Sequence, residues 1–254
     1  MRGVKLVLAI GQVAVVVGAI ALWQWLSDAK VINTYLLGQP NLIARQLHGW
    51  FTTGTLWTDV GATLLVLVVG YTAGLTLGAV LGAALGLSPF IRAVLEPFVV
   101  FFNGMPRLLL YPLLLVVIGI GTPARIVLVV AAVFVIVAVS IAAGLSEIPI
   151  DLLHNMLLAG ASKLDLARHV YLPSLTIWIL STARTTIGIA LSATLLGEFV
   201  GATKGIGYQA VQGQANLDVN QIWAAITLVV AVALVFYVIV GSVERRATKW
   251  LPTR

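Results

Sequence analysis

The sequence predicts an all-α, polytopic membrane protein with about six transmembrane helices. Charged residues make up only 9% of the 254-residue chain against 60% hydrophobic residues, and the mean hydropathy is +1.06. A soluble domain carries roughly 25% charged residues, so this chain has too few to cover a surface facing water. The apolar residues fall in runs of about 20, the length that crosses a bilayer core of roughly 30 Å. The sparse charges lie between those runs, where a membrane protein keeps its orientation signals.

The net charge is +6. A phosphate-tracking surface needs clustered Lys and Arg, and the scatter here argues against nucleic acid as a partner. There are no cysteines, which excludes disulfides, thiolate catalysis and Cys-based metal sites.

The first span runs from about Leu6 to Leu26, after Arg2 and Lys5. Ala19-Ile20-Ala21 has the small-x-small look of a signal-peptidase site, but the reading favoured is an uncleaved first helix, with Trp23 and Trp25 as its interfacial belt. Residues 27–58 are mixed and read as a loop with a short interfacial helix. The second span covers about Asp59 to Leu87, with Asp59 as its N-cap. It carries Gly70, Gly74, Gly78, Gly82 and Gly86, one on every turn of a single face, which lets a neighbouring backbone approach closely. Helix packing is the plain reading of that stripe and pore lining the alternative. After Ser88-Pro89, the stretch from about Phe98 to Ile120 is interrupted by Gly104, Pro106, Arg107 and Pro112 and reads as one kinked span, since membrane helices tolerate proline where neighbours satisfy the freed backbone. Gly119 to Pro123 is a turn signal. The fourth span is about Ala124 to Leu145, the fifth about Leu175 to Leu196 and the sixth about Ile222 to Val243. A basic tail follows.

With six spans and both termini on one side, that side holds Arg2, Lys5, Arg92, Arg107, Lys163, Arg168, Arg245, Arg246, Lys249 and Arg254. The other holds Lys30, Arg45, Arg125 and Lys204. Ten against four places the termini, the 88–97 loop and the 146–174 loop in the cytoplasm.

The 146–174 loop is the most informative segment. Ser146-Glu147-Ile148-Pro149 opens it, an amphipathic stretch to Ala159 follows, and Gly160 can then take the left-handed conformation that ends a helix. Ser162 is a good N-cap, and Asp165 sits three residues on, where it can close a capping box. A second short helix is expected from about Lys163 to His169. Pro173 has no amide proton and suits the first turn of the fifth span. The local chemistry predicts two short helices meeting at a sharp turn and joined rigidly to a membrane helix.

Gly160-Ala161-Ser162, Val170 ten residues after the glycine, and Leu172-Pro173 resemble the EAA signature of binding-protein-dependent ABC transporter permeases. The signature's triplet does not match: His154, Asn155 and Met156 stand there. Glu198, Gly201-Ala202 and Gly205-Ile206-Gly207 are similar to a second segment of that family. Arg184 and the Glu244-Arg245-Arg246…Trp250 tail look like its nitrate, sulfonate, taurine and bicarbonate branch. The likeness covers about residues 55–250.

It implies a MetI-like permease bundle, a single transmembrane domain over residues 1–254 in which 146–174 is the cytoplasmic coupling loop. Gly160, Ala161, Ser162 and Asp165 would dock on a separate cytoplasmic ATP-binding-cassette ATPase, with Leu172 and Pro173 tying that elbow to the fifth helix. It further implies a multi-pass protein of the bacterial inner membrane, a periplasmic or lipid-anchored solute-binding protein, and a second permease copy in a homodimer. The function implied is import of a small anionic or polar organic solute.

Arg184 lies deep in the fifth span, where a charge is costly and usually faces a cavity or bundle interior. With Thr185, Gly188 and Ser192 it marks a candidate translocation face. Arg184 there handles an anionic solute or pairs with an acid; the alternative is that it snorkels to the cytoplasmic edge. Glu198, near the outer end of the same span, either holds an outer gate or bonds to the glycine loop that follows.

No G-x-x-x-x-G-K-[S/T] loop occurs, so ATP has to be hydrolysed by a partner, with no cofactor in this chain. His48, His154 and His169 are scattered, which argues against a metal site. No nucleophile–base pairing suggests an enzyme. The competing class is an ion-gradient-driven secondary transporter, which would show internal inverted repeats; none is evident between the halves.

Overall fold

The computed structural model describes residues 2–106 and 109–247, and every described regular element is helical. Arg107 and the tail beyond Ala247, including Lys249, Trp250 and Arg254, lie outside the described residues, as do the side chains of Arg2 and Lys5. Among the described residues, five helices are long and apolar enough to cross a membrane: Ile10–Asp28, Thr55–Leu87, Thr122–Ser146, Lys163–Phe199 and Val219–Ala247. The chain falls into two compact units, residues 1–61 with 204–229 and residues 62–203 with 230–254.

In the first unit, α1 (Arg2–Asp28) leads to a short α2 (Thr34–Leu37) and to α3 (Pro40–Thr53). Asn33 caps α2 by accepting from the Tyr35 amide at 3.0 Å. The α3 helix is amphipathic and buries Ile43 and Trp50, and is the short helix expected between 27 and 58. The unit also holds the first turns of α4 (Thr55–Leu87) and α11 (Ile206–Ala215), and the start of α12 (Val219–Ala247). Trp23 and Trp223 meet edge-on with ring centroids 5.1 Å apart, and the Gln39 amide donates to Asn220 Oδ1 at 2.8 Å.

Asp59 is not the cap that the sequence suggested. It lies one turn inside α4, buried, and accepts hydrogen bonds from the Gly205 amide (2.9 Å) and Gln209 Nε2 (2.5 Å). Gln209 is held in turn by Gln221 Nε2. A buried carboxylate has to be hydrogen-bonded, and here the donors come from a segment 146 residues on.

The second unit is built on α7 (Thr122–Ser146), whose Leu128, Val129, Val133, Val137, Ala138 and Ile141 are fully or almost fully buried. The glycine stripe of α4 lies against it. A Cβ on Gly70 would stand 2.6 Å from Val129 Cβ, on Gly78 2.7 Å from Val137 Cβ, and on Gly82 2.8 Å from Ile141 Cβ. Only a missing side chain permits that approach, so packing is the role of the stripe. The pairings advance in the same direction along both helices, and α4 and α7 are therefore parallel.

Parallel membrane helices require an odd number of crossings between them. Residues 88–121 therefore have to cross once, although none of their described helices reaches full span. They form α5 (Pro89–Gly104) and α6 (Leu110–Ile118), about 24 Å and 14 Å long at 1.5 Å per residue. The sequence read this stretch as one kinked helix; the backbone instead leaves the helix at Met105, which is extended. With this broken crossing the five long helices become six.

The next long helix, α10 (Leu172–Phe199), runs antiparallel to α7. Gly144 faces the Trp178 ring, and Gly197 faces Arg125. Tyr111 of α6 is buried and donates to the Gly197 carbonyl at 2.8 Å, closing the far end of the pair.

Candidate functional site

The elbow is built by local chemistry. After α7 the chain forms α8 (Ile150–Leu158) and then turns. Gly160 has φ +88, and the Ala161 amide donates back to the Met156 carbonyl at 3.0 Å, the bonding of a glycine-terminated helix end. A Cβ on Gly160 would meet nothing within 4 Å, so the glycine is required by its backbone angle alone.

Ser162 then starts α9 (Lys163–Leu166) with a complete capping box. Ser162 Oγ accepts from the Asp165 amide at 3.2 Å, and the Ser162 amide donates to Asp165 Oδ2 at 2.9 Å. The Ser162 hydroxyl and then its amide hold the exposed Asp165 carboxyl below the ordinary carboxylate value. The box therefore stays charged and closed at neutral pH.

The second arm differs from the separate helix expected over 163–169. After α9 the chain passes through a π-helical stretch, Ala167–Tyr171, directly into α10. The Leu172 amide bonds to the Ala167 carbonyl, five residues back. Pro173 explains the widening: in a regular α-helix its ring would press on the carbonyl four residues earlier, and the π turn moves that carbonyl away. Lys163–Phe199 is thus one continuous stretch of 37 residues, about 55 Å long. That exceeds the bilayer core, so its first turns project out of it. Leu157, Leu158 and Leu164 are exposed on the projecting elbow, Leu158 at 86%. Ala161, Leu172 and Pro173 sit at the corner and the joint as the sequence suggested, and His154 and Asn155 lie on the exposed side of α8.

Within α10, Ser181, Thr185, Gly188 and Ser192 share an exposed face, while Thr182, Thr186 and Thr194 are buried on the other. Gly188 and Ser192 border a cavity of about 360 Å³ with Met105, Pro106 and Ala132. The helix break at Met105 therefore opens onto the small, polar side of α10. Both hydroxyls are bonded within their own helix, Thr185 to the Thr182 carbonyl and Ser192 to the Gly188 carbonyl, which leaves a smooth, neutral surface.

Arg184 flanks this face and is paired with an acid. Its Nη1 lies 3.3 Å from Glu244 Oε2 of α12, its Nη2 donates to the Tyr237 hydroxyl, and its Cζ stands 4.4 Å from the Tyr237 ring centroid. Glu244 lies seven residues beyond Tyr237 toward the end of α12. Sequence reasoning did not single out Tyr237; its one signal is that it shares a face with Glu244 at a spacing of seven residues.

Glu198 stands apart from the exposed face. It is 1% exposed and accepts from Thr63 Oγ1 of α4 at 2.8 Å, a buried tie between two helices. Among the described residues no cluster of His, Asp and Glu could hold a metal ion.

Residues 74–249 match the model of the family described as binding-protein-dependent transport system inner membrane component. The taurine transport system permease protein TauC of Escherichia coli (strain K12) is 27% identical over 251 residues, covering 97% of this chain and 90% of that protein. The riboflavin transport system permease protein RibX of Chloroflexus aurantiacus is 27% identical over 228 residues, covering 90% and 85%. Among solved structures, a chain of the MetNI methionine ABC transporter in an inward-facing conformation aligns with a TM-score of 0.64 at 24% identity, covering 78% of this chain and 97% of that one. The glycine-and-proline elbow, the glycine-packed helices and the family match over most of the chain agree: this is a multi-pass inner-membrane protein that belongs to the binding-protein-dependent transport family, as the permease subunit of an ABC importer.

Proposed function

We propose that the chain, acting as a single permease domain over residues 1–254 and paired with a second copy of itself, carries a small polar organic solute into the cytoplasm by alternating access. A cytoplasmic ATPase binds the 146–174 elbow and hydrolyses the ATP, with no cofactor in this chain. A solute-binding protein delivers the solute from outside, and both termini lie in the cytoplasm. The carrying observation is mechanical: an exposed leucine-bearing elbow, stiffened by the Ser162–Asp165 capping box, continues without interruption into α10. Movement imposed at Gly160–Asp165 is delivered to Thr185, Gly188 and Ser192 through one helix. The exposed polar face and the Met105–Pro106 cavity support these residues and Arg184 as the pathway wall; the burial of Glu198 supports a holding role for it. TauC, similar over 97% of this chain, supports a small sulfonate-type solute.

Copurification with the ATPase tests this reading. The wild-type chain is expected to bring the ATPase through detergent purification, and Gly160→Glu to lose it while the permease stays folded. Retention by Gly160→Glu and by Leu158→Glu alike would remove the elbow from the interface.

A further inference from the structure

We infer that Arg92 is a positioning residue of the coupling machinery: it fastens the base of the elbow to α5, so that movement of the elbow reaches the Met105–Pro106 wall of the cavity as well as the Gly188–Ser192 wall. The inference rests on the importer reading above and extends it to the opposite wall.

The parallel helices α4 and α7 end on the same side, and their last turns touch: a Cβ on Gly86 would lie 2.8 Å from Leu145 Cβ. Two helix C-termini side by side bring together like partial charges and leave carbonyls without helical donors. Neither last turn carries a basic residue. Arg92, near the start of α5, supplies the cation for both. Its Nε donates to the Leu85 carbonyl of α4 at 3.1 Å. The residue four positions after Leu85 is Pro89, which has no amide proton to offer that carbonyl. Arg92 Nη2 donates to Ser146 Oγ at 2.6 Å and to the Ala142 carbonyl at 3.4 Å, both of α7. Ser146 Oγ in turn donates to the Ala142 carbonyl at 2.8 Å. One planar guanidinium thus spans two helix ends, which the compact charge of a lysine does not match.

The place of this clamp gives it a mechanical role. Ser146 is the last residue of α7, and the elbow begins directly after it. Arg92 belongs to α5, which continues through Pro97 to Gly104 and ends at Met105, beside the cavity. The elbow therefore has two lines to the cavity. One is α10, which carries its motion to Gly188 and Ser192. The other is the clamp, which hands the motion of the α7 end to α5 and so to Met105 and Pro106.

The test places single cysteines on the two walls of the otherwise cysteine-free chain, Met105→Cys or Ser192→Cys, in the purified permease–ATPase complex. Labelling by N-ethylmaleimide is timed with and without ATP and orthovanadate, which hold the ATPase closed. With Arg92 intact, both positions are expected to change rate by about fivefold or more, the lower range of coupling between distant sites. Adding Arg92→Gln should abolish the change at Met105→Cys and keep that at Ser192→Cys, and Arg92→Lys should restore part of it. A merely structural role would weaken both responses together. Ser146→Ala frees the α7 end and leaves the Leu85 bond in place. It should reduce the Met105→Cys response alone, and it decides the matter if the Arg92 variants do not assemble. An undiminished Met105→Cys response in these variants, equal loss at both walls, or a response of Ser192→Cys alone with Arg92 intact would overturn the inference. Failure of the ATPase to copurify with the Arg92-intact chain, or a complex that responds at neither wall, sinks the importer reading itself.

Discussion

Gly78 and Val137 are packed so closely that a Cβ on the glycine would lie 2.7 Å from the Cβ of the valine and 2.6 Å from the Phe134 carbonyl oxygen. Neither obstacle is the far end of a flexible side chain, so the helices themselves would have to part. Gly78→Ala is expected to destabilise the permease by about 1–3 kcal/mol, the usual cost of overpacking. Gly61→Ala, on the same helix with nothing within 4 Å of the added carbon, should leave stability unchanged or raise it slightly. Thermal unfolding in detergent compares the two.

The same stripe fixes a topology. Because α4 and α7 run parallel, residues 88–121 begin and end on opposite faces of the membrane. The chain has no cysteine of its own, so single cysteines at the exposed positions Leu87 and Ile120 report sidedness directly. Leu87→Cys should react with an impermeant thiol reagent from the cytoplasmic side and Ile120→Cys from the outside. Reaction of both from one face would contradict the assignment of α4 and α7 as two parallel membrane spans.

Buried Glu198 presents a different expectation. Its bond from Thr63 joins α4 to α10 where neither group meets solvent. Glu198→Ala leaves the Thr63 hydroxyl without that acceptor and should cost about 1–3 kcal/mol of stability. Glu198→Gln keeps an acceptor oxygen and should cost less. If both variants are as stable as wild type yet fail in transport, Glu198 acts in the pathway and not as a tie.

What could be read from the sequence divides along physical lines. The elbow was legible because each of its parts obeys a rule that acts within a few residues: Gly160 at a helix end, Ser162 with Asp165 in a capping box, Pro173 in a first turn. Its π-helical joint was not, because the way a proline's steric demand is absorbed depends on the turn before it. The glycine stripe announced a close neighbour but could not name α7, since a bare helix face carries no record of what covers it. Asp59 was misread as a cap because its donors, Gly205 and Gln209, are about 150 residues away. Arg184 was recognised as demanding company in lipid, yet its choice of Glu244 and Tyr237 emerged only when α10 and α12 were placed together.

The most direct test of the account uses the elbow as a cross-linking probe. A photoactivatable reagent attached to Leu158→Cys or Leu164→Cys, in an otherwise cysteine-free chain, is expected to capture the ATPase in membranes from transport-competent cells. The same reagent on exposed Leu217→Cys, which precedes α12 at the end opposite its basic terminus, is expected not to. Capture from Leu217, or no capture from either elbow position while transport continues, would contradict the assignment of residues 146–174 as the site where ATP hydrolysis is coupled to the membrane helices.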